Sequence, residues 1–225
     1  MDALAQTDGS RTARRALLRH VVLLYAALEG ALWTAGLPQG VFIVLTAGHA
    51  TAWTMSDRRL LPELGFDPRS IRRGWWIAPI GAALGGLALL AGWHWHTLRW
   101  PADQASVYAG VLLYIIWALI QQFLVQSFFF LRLEQLLRSG RRAMIATALL
   151  FAGAHIPNPV LVPVTLVGGL ILSELFRRYR TLYLLALAQA LLALPLSISV
   201  PETALHDMRV GIGYVCYPVD CRSTH

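Results

Sequence analysis

The sequence contains no lysine and few charged residues of any kind. Charged residues make up 14% of the 225 residues, whereas a soluble domain usually carries about a quarter. Hydrophobic residues make up 56%, and the mean hydropathy is +0.55. This balance excludes an ordinary soluble domain, and apolar stretches of bilayer length recur along the chain. The sequence therefore predicts a single all-α, polytopic transmembrane helix bundle.

Cysteine is also scarce, since Cys216 and Cys221 are the only two. Two cysteines are too few for a zinc ribbon. They would either form a disulfide in an extracytoplasmic tail or remain two free thiols. The arginine-rich N-terminal stretch lacks the small-residue cleavage site of a signal peptide. We therefore expect a cytoplasmic segment over residues 1–15, a transmembrane domain over 16–200 and an extracytoplasmic tail over 201–225.

The arginines predict how the chain is oriented in the membrane. Seven spans are predicted, at residues 16–36, 40–55, 75–94, 106–131, 142–156, 159–176 and 181–200. With the N-terminus inside, 16 of the 19 arginines lie in cytoplasmic segments, and only Arg99, Arg209 and Arg222 lie outside. This bias predicts a cytoplasmic N-terminus and an odd number of spans. Because the arginines cluster between apolar spans, the net charge of +7 does not indicate nucleic-acid binding.

Polar side chains inside the spans are the first candidates for a functional site, because they are costly in hydrocarbon and face a bundle interior or a cavity. Counting from the nearest arginine at ~1.5 Å per residue places Gln126 about 9 Å and Gln122 about 15 Å deep. The same count places Gln189 about 13 Å and His155 about 20 Å deep. Similar depths on three helices predict one buried polar site. Taken singly, each residue is also explained by hydrogen bonding between helices, worth about 1 kcal/mol per contact.

His155 stands in the stretch "FAGAHIPNPV", where two prolines interrupt an apolar helix. The break frees backbone carbonyl groups, and irregular backbone at membrane depth is tolerated where it lines protein or a watery cavity. We therefore expect His155 to end a helix at a cavity inside the bundle.

"FAGAH" resembles the F-x-x-x-H motif of the CAAX-protease and bacteriocin-processing family of membrane proteases (CPBP, also called Abi). In that family a di-glutamate motif, E-E-x-x-x-R, lies on a preceding helix and a second histidine on a later one. The order of the spans and the proline break are similar too, so the resemblance covers roughly residues 106–200. The later stretch "HDMRVGIGY" is similar to that of some bacterial members. It implies an endopeptidase of a bacterial inner membrane that cleaves membrane-associated peptides. In such an enzyme, glutamate and histidine activate water and an asparagine stabilises the oxyanion.

The sequence differs from the family pattern at the positions of the catalytic residues. Either Gln121–Gln122 or Gln126–Ser127 stands at the di-glutamate position, and Gln189 stands where the second histidine is expected. Only Arg132 matches the motif arginine, one residue out of register. A glutamine amide cannot accept a proton at accessible pH, so no glutamine can act as general base.

The residues that carry over cleanly are Phe151 and His155, with Asn158 as a polar neighbour. Together with Glu174, a carboxylate that could replace the missing glutamates, the candidate site comprises seven residues: His155, Asn158, Gln122, Gln126, Gln189, Arg132 and Glu174. A divalent metal at His155 would be held weakly by one histidine and amides.

Three carboxylates are candidates for a replacement base. Glu174 lies about 5 Å below the cytoplasmic face and is spaced to pair with Arg177 or Arg178. Glu134 lies at the membrane edge, where a solvated or ion-paired side chain is expected. Glu29 could form a separate buried pair with His49.

Three functions remain open at this point. The first is an intramembrane endopeptidase with an altered site. The second is a catalytically silent membrane scaffold that binds a partner helix or a lipid in its polar cavity. The third is a carrier of b-haem or a small solute, with His49 and His155 as ligands. The missing glutamates favour the scaffold, whereas the retained His155 favours chemistry.

Overall fold

The computed structural model of the protein describes residues 2–99 and 104–217. Cys221 and Arg222, which the sequence places in the extracytoplasmic tail, lie outside the described residues. Cys216 is disulfide-bonded. All regular elements in the described ranges are helical, which confirms the predicted all-α class.

Seven long helical elements follow one another along the chain. They are α1 (Asp2–Trp33), α2 (Gly36–Ser56), α4 (Ile77–His94), a continuous rod from Gln104 to Leu137, α7 (Gly140–Gly153), α8 (Leu161–Tyr179) and α9 (Leu182–Ser199). The rod consists of α5 (Gln104–Gln122), a π-helical segment (Phe123–Phe130) and α6 (Leu131–Leu137). Shorter helices are α3 (Arg69–Gly74), α10 (Glu202–Leu205) and α11 (Gly211–Val215).

The helix ends follow local chemistry. α7 ends at Gly153, three residues before the end predicted for its span, because Pro157 and Pro159 lack amide hydrogens and restrict the residues before them. α6 and α8 each end on an arginine in the left-handed region, Arg138 (φ 51°) and Arg180 (φ 47°). That conformation turns the chain sharply into the next helix.

α9 lies at the centre of the bundle, packed against α4 and α5, while α7 packs on α8 and α1 on α2. Close approach of α4 and α9 depends on Gly81 and Gly85. A Cβ atom at Gly85 would lie 2.1 Å from the carbonyl oxygen of Leu191, so no larger residue fits there. This packing places α5 and α9 side by side, which brings their polar residues together.

Four of the described helical stretches are long and apolar enough to cross a membrane: Arg11–Trp33, Ile77–His94, Val107–Leu137 and Leu182–Ser199. Large apolar side chains cover the outside of the bundle, among them Leu37 at 83% exposure and Val44 at 70%. Exposed apolar surface of this extent is buried by lipid in an integral membrane protein. The count of seven spans and the cytoplasmic N-terminus stay predictions.

Candidate functional site

A cavity of about 370 Å³ lies among α4, α5, α8 and α9. Its wall is mostly apolar, and five polar side chains interrupt it: Tyr114, Gln121, His155, Thr165 and Gln189. Among the described lining residues none is an aspartate, glutamate, lysine or arginine. The volume and the small number of polar groups are typical of a ligand site.

The cavity opens through the side of the bundle. Ile80 on α4, Trp117 on α5 and Ile171 on α8 all line it, and their side chains are 49%, 51% and 54% exposed. These large apolar residues lie on the outer surface of apolar helices, where lipid chains would contact them. The route into the cavity therefore leads from the hydrocarbon.

His155 lies two residues beyond the last residue of α7, in the turn that precedes the prolines. Its Nδ1 is 2.6 Å from the carbonyl oxygen of Phe151. A carbonyl oxygen only accepts, so Nδ1 carries the hydrogen and the neutral ring keeps a lone pair on Nε2. Phe151 also packs edge-on against the imidazole, with ring centroids 4.8 Å apart. The F-x-x-x-H spacing thus fixes the orientation of the ring and leaves Nε2 as a hydrogen-bond acceptor.

Four glutamines beside the cavity form one chain of side-chain hydrogen bonds. Gln126 donates to Gln122 at 3.3 Å, and Gln122 donates across the helix interface to Gln189 at 2.6 Å. Gln189 in turn donates through Nε2 to Oε1 of Gln121. Gln122 and Gln126 are fully buried, whereas Gln121 and Gln189 line the cavity. The chain therefore runs from the protein interior to the cavity wall.

The two ends of this chain differ in which amide atom is left without a partner in the part of the protein that the structure describes. At its inner end, Oε1 of Gln126 is buried without a partner among the described residues. At the outer end, the Gln121 amide nitrogen remains available as a donor. The site thus presents an N–H donor at Gln121 and an acceptor at His155.

Asn158 is fully buried and does not belong to the described cavity lining. Its Nδ2 donates to the carbonyl oxygens of Leu205 at 2.9 Å and Arg209 at 3.1 Å. Its Oδ1 accepts from the backbone N–H groups of Val160 and Leu161, at the start of α8. All of its polar atoms are therefore used to hold backbone segments together.

The segment that Asn158 holds is strained. His206, Asp207 and Met208 all have positive φ, at 47°, 49° and 58°. Left-handed conformations cost non-glycine residues roughly 1–2 kcal/mol each. The two carbonyls bound by Asn158 flank these residues, and Met208 lines the cavity. We call residues 205–209 the strap; Asn158 is what holds it in place over the cavity.

Arg132 lies away from the cavity in a separate ion pair. Its side chain is 1% exposed and contacts Asp57 at 2.9 Å. The guanidinium carbon also lies 5.1 Å from the centre of the Trp53 ring. Arg132 thus joins the rod to the end of α2.

The carboxylates proposed as replacement bases are paired elsewhere. Glu174 contacts Arg177 at 2.8 Å and Arg178 at 2.6 Å, as its spacing predicts. Glu134 pairs with Arg180 at 3.1 Å.

The expected pairing of Glu29 with His49 is wrong. Glu29 accepts from the Trp33 indole at 3.1 Å, four residues along the same helix, whereas His49 meets His20 at 3.2 Å. His49 lies against Trp53 and Phe128, which do not line the cavity, so the structure does not bring it to His155.

The described residues contain no group of three or more His, Cys, Asp or Glu side chains placed to hold a metal ion. His155 is accompanied in the cavity by neutral amides and a phenol. Such a set is a poor match for divalent cations, which need anionic or several nitrogen ligands. The site does not fit a divalent metal.

Sequence reasoning missed Tyr114 and Met208 as site residues, and it named Gln121 only as one of two possible counterparts of the di-glutamate motif. The family motif itself contained a signal for Gln121. If E-E-x-x-x-R is laid on Gln121–Gln122, the arginine position falls on Gln126 and not on Arg132. The hydrogen-bond chain unites those three positions with Gln189, at the expected place of the second histidine.

Residues 102–194 match a family model described as Rce1-like, type II CAAX prenyl endopeptidase Rce1-like. The match extends from the start of α5 into α9 and includes all four glutamines and His155. It confirms the resemblance that the "FAGAH" stretch predicts. No curated protein and no solved structure matches the chain.

Proposed function

We propose that this integral membrane protein, which carries an Rce1-like domain over residues 102–194, binds a membrane-soluble ligand in the cavity beside His155 and does not hydrolyse peptide bonds. The observation that carries the proposal is the chain of four glutamine amides. With E-E-x-x-x-R laid on Gln121–Gln122, these amides take the places of two glutamates, an arginine and a histidine.

Peptide hydrolysis in such a site needs a group that takes a proton from water. No glutamine can do so, and His155 is the only described lining residue whose side chain accepts a proton near neutral pH. General acid–base catalysis contributes about 10²–10⁴-fold, so a site reduced to one histidine would turn over slowly at best.

The replacements also form a consistent set. Replacing only one residue of a buried ion pair by a neutral one leaves the charge of the other residue unpaired, which costs about 3–5 kcal/mol of stability. Here all four positions are neutral, and three hydrogen bonds join them. The result is a stable polar wall with no net charge, which suits binding of an uncharged molecule from the bilayer.

One observation favours the endopeptidase as a second candidate function. The Nε2 lone pair of His155 is free because Nδ1–H is held by Phe151. In that case the substrate would be a membrane-associated peptide, and the protein would act in a bacterial inner membrane, as the family resemblance implies.

Gly168 offers a direct test of ligand binding. It lines the cavity on α8, and a Cβ atom there would meet nothing within 4 Å, so Gly168→Leu projects a side chain into the space. Gly86 on α4 has the same open surroundings but does not line the cavity, which makes Gly86→Leu a matched control. Native mass spectrometry of the purified proteins measures bound small molecules.

We expect a bound species on the wild type and Gly86→Leu that is absent from Gly168→Leu. Equal occupancy of all three proteins, or none on any, would contradict the proposal.

A further inference from the structure

We infer that the cavity binds a neutral single-chain lipid alcohol, with its hydroxyl between Gln121 and His155 and its hydrocarbon chain leaving toward the membrane. This inference rests on the proposed binding function and adds the chemical class of the ligand.

The charge of the ligand follows from the wall. Among the described residues that line the cavity, none carries a full charge to pair with an ionised headgroup. A charge brought into such a place without a partner costs several kcal/mol. Phosphate, carboxylate and ammonium headgroups are therefore disfavoured, and an uncharged headgroup is favoured.

The polar groups of the wall select among uncharged headgroups. Gln121 presents an amide N–H, because its oxygen already accepts from Gln189. His155 presents an acceptor, because its Nδ1–H is bound to Phe151. A hydroxyl oxygen both accepts and donates, so a single such group can satisfy both residues. An ester, aldehyde or ketone oxygen only accepts and would leave His155 unpaired, and an alkane would leave both unpaired.

The shape of the cavity indicates a single chain. The space of about 370 Å³ is lined both by the polar side chains and by exposed apolar residues such as Ile80 and Ile171, and this volume is small for a lipid with two chains. An alkyl or isoprenoid chain extending past these residues would stay within apolar surroundings along its whole length. Tyr114 and Thr165 add hydroxyls to the wall, and Met208 of the strap supplies a flexible apolar contact.

Two tryptophans in the wall make binding measurable. Trp76 and Trp117 line the cavity, and bromine quenches indole fluorescence at short range. The full chain in lipid nanodiscs would be titrated with 11-bromoundecan-1-ol, 11-bromoundecanoic acid and 1-bromoundecane. Trp117→Phe removes a reporter from the wall, and Trp93→Phe, which is 68% exposed and outside the cavity lining, is its matched control. Competition with 1-dodecanol and with farnesol distinguishes a straight from an isoprenoid chain.

We expect saturable quenching by the bromoalcohol that unbrominated alcohols reverse, at least about 10-fold tighter than by the bromoalkane or the acid at neutral pH, since a site built for a hydroxyl rejects analogues that lack it. Gln121→Leu and His155→Phe should each lose most of this preference. The ligand series on the wild type keeps the test valid even where a variant fails to fold.

Equal affinity for alcohol and alkane, or tighter binding of the acid, would overturn the inference while leaving a binding cavity. Loss of the signal in Trp93→Phe but not in Trp117→Phe would place the probe outside the cavity and also overturn it. The absence of saturable quenching by any of the three probes would contradict the binding function itself.

Discussion

Gln122 on α5 and Gln189 on α9 are joined by a hydrogen bond of 2.6 Å from Nε2 of the first to Oε1 of the second. Hydrogen bonds continue from both residues, inward from Gln122 to Gln126 and outward from Gln189 to Gln121. It makes the amides one structural unit, and several consequences can be measured.

Gln122→Leu should lower the free energy of unfolding by about 1–3 kcal/mol, because it strands the donor of Gln126 and the acceptor of Gln189 in a buried place. Gln126→Leu is the matched comparison. It strands one acceptor, Oε1 of Gln122, but it breaks only one long hydrogen bond of 3.3 Å and also removes an oxygen that already lacks a partner, so its effect should be smaller than that of Gln122→Leu. Unfolding in mixed micelles titrated with dodecyl sulfate measures both, and a larger loss in Gln126→Leu would contradict the chain.

Asn158→Asp should release the strap without releasing the start of α8. The carboxyl group still accepts from Val160 and Leu161, but toward the carbonyls of Leu205 and Arg209 it donates no hydrogen when ionised and only one when protonated, where asparagine donates two. Hydrogen exchange should therefore become faster at Arg209 and Gly211 while the first amides of α8 stay protected. Asn158→Ala serves as control, since it should loosen both segments. Unchanged exchange of the strap in Asn158→Asp would show that the side chain does not hold it.

Two arginines in the same backbone conformation should respond oppositely to glycine. Arg138 is an exposed left-handed residue, so Arg138→Gly should stabilise the protein by about 1 kcal/mol. Arg180 has the same conformation but pairs with Glu63 at 3.0 Å and Glu134 at 3.1 Å and lies over the ring of Phe176. Arg180→Gly should therefore destabilise it. The same micelle titration measures the change in the free energy of unfolding for both variants. Changes of the same sign would contradict this interpretation.

The ion pair between the buried Arg132 and the partly exposed Asp57 predicts that substitutions at the two residues are coupled. Asp57→Ala leaves a guanidinium that is 1% exposed without its carboxylate, at a cost of about 3 kcal/mol. In the double variant with Arg132→Met the charge is gone, so the loss should be smaller than the sum of the two single losses. A double-mutant cycle on thermal unfolding measures this, and additive losses would mean that the pair contributes nothing specific.

The sequence predicts the positions of the helices better than it predicts the contacts within the polar site. Hydropathy and arginine clusters located all seven long helical elements, because hydrophobic length is a local property of the chain. The end of α7 was placed three residues too late, since the prolines act on residues that precede them. The π-helical segment and the strained strap have no local sequence pattern that would predict them.

The candidate residues were recognised because glutamine and histidine are rare in apolar spans. Their partners were not, since Gln122 and Gln189 are 67 residues apart and Asn158 holds a segment 47 residues away. Asn158 looked like a site residue by its proximity to His155, and only the packing shows that its amide is fully used. Which buried polar group faces a cavity is decided by tertiary packing.

The central claim is that the domain binds without cleaving, and the most direct measurement is a comparison of new protein termini in membranes of cells that express the wild type or His155→Ala at matched levels. We expect the wild type and His155→Ala to give identical sets of termini, with both proteins stably inserted in the membrane. Termini that are present with the wild type and vanish with His155→Ala would show a working endopeptidase and contradict it.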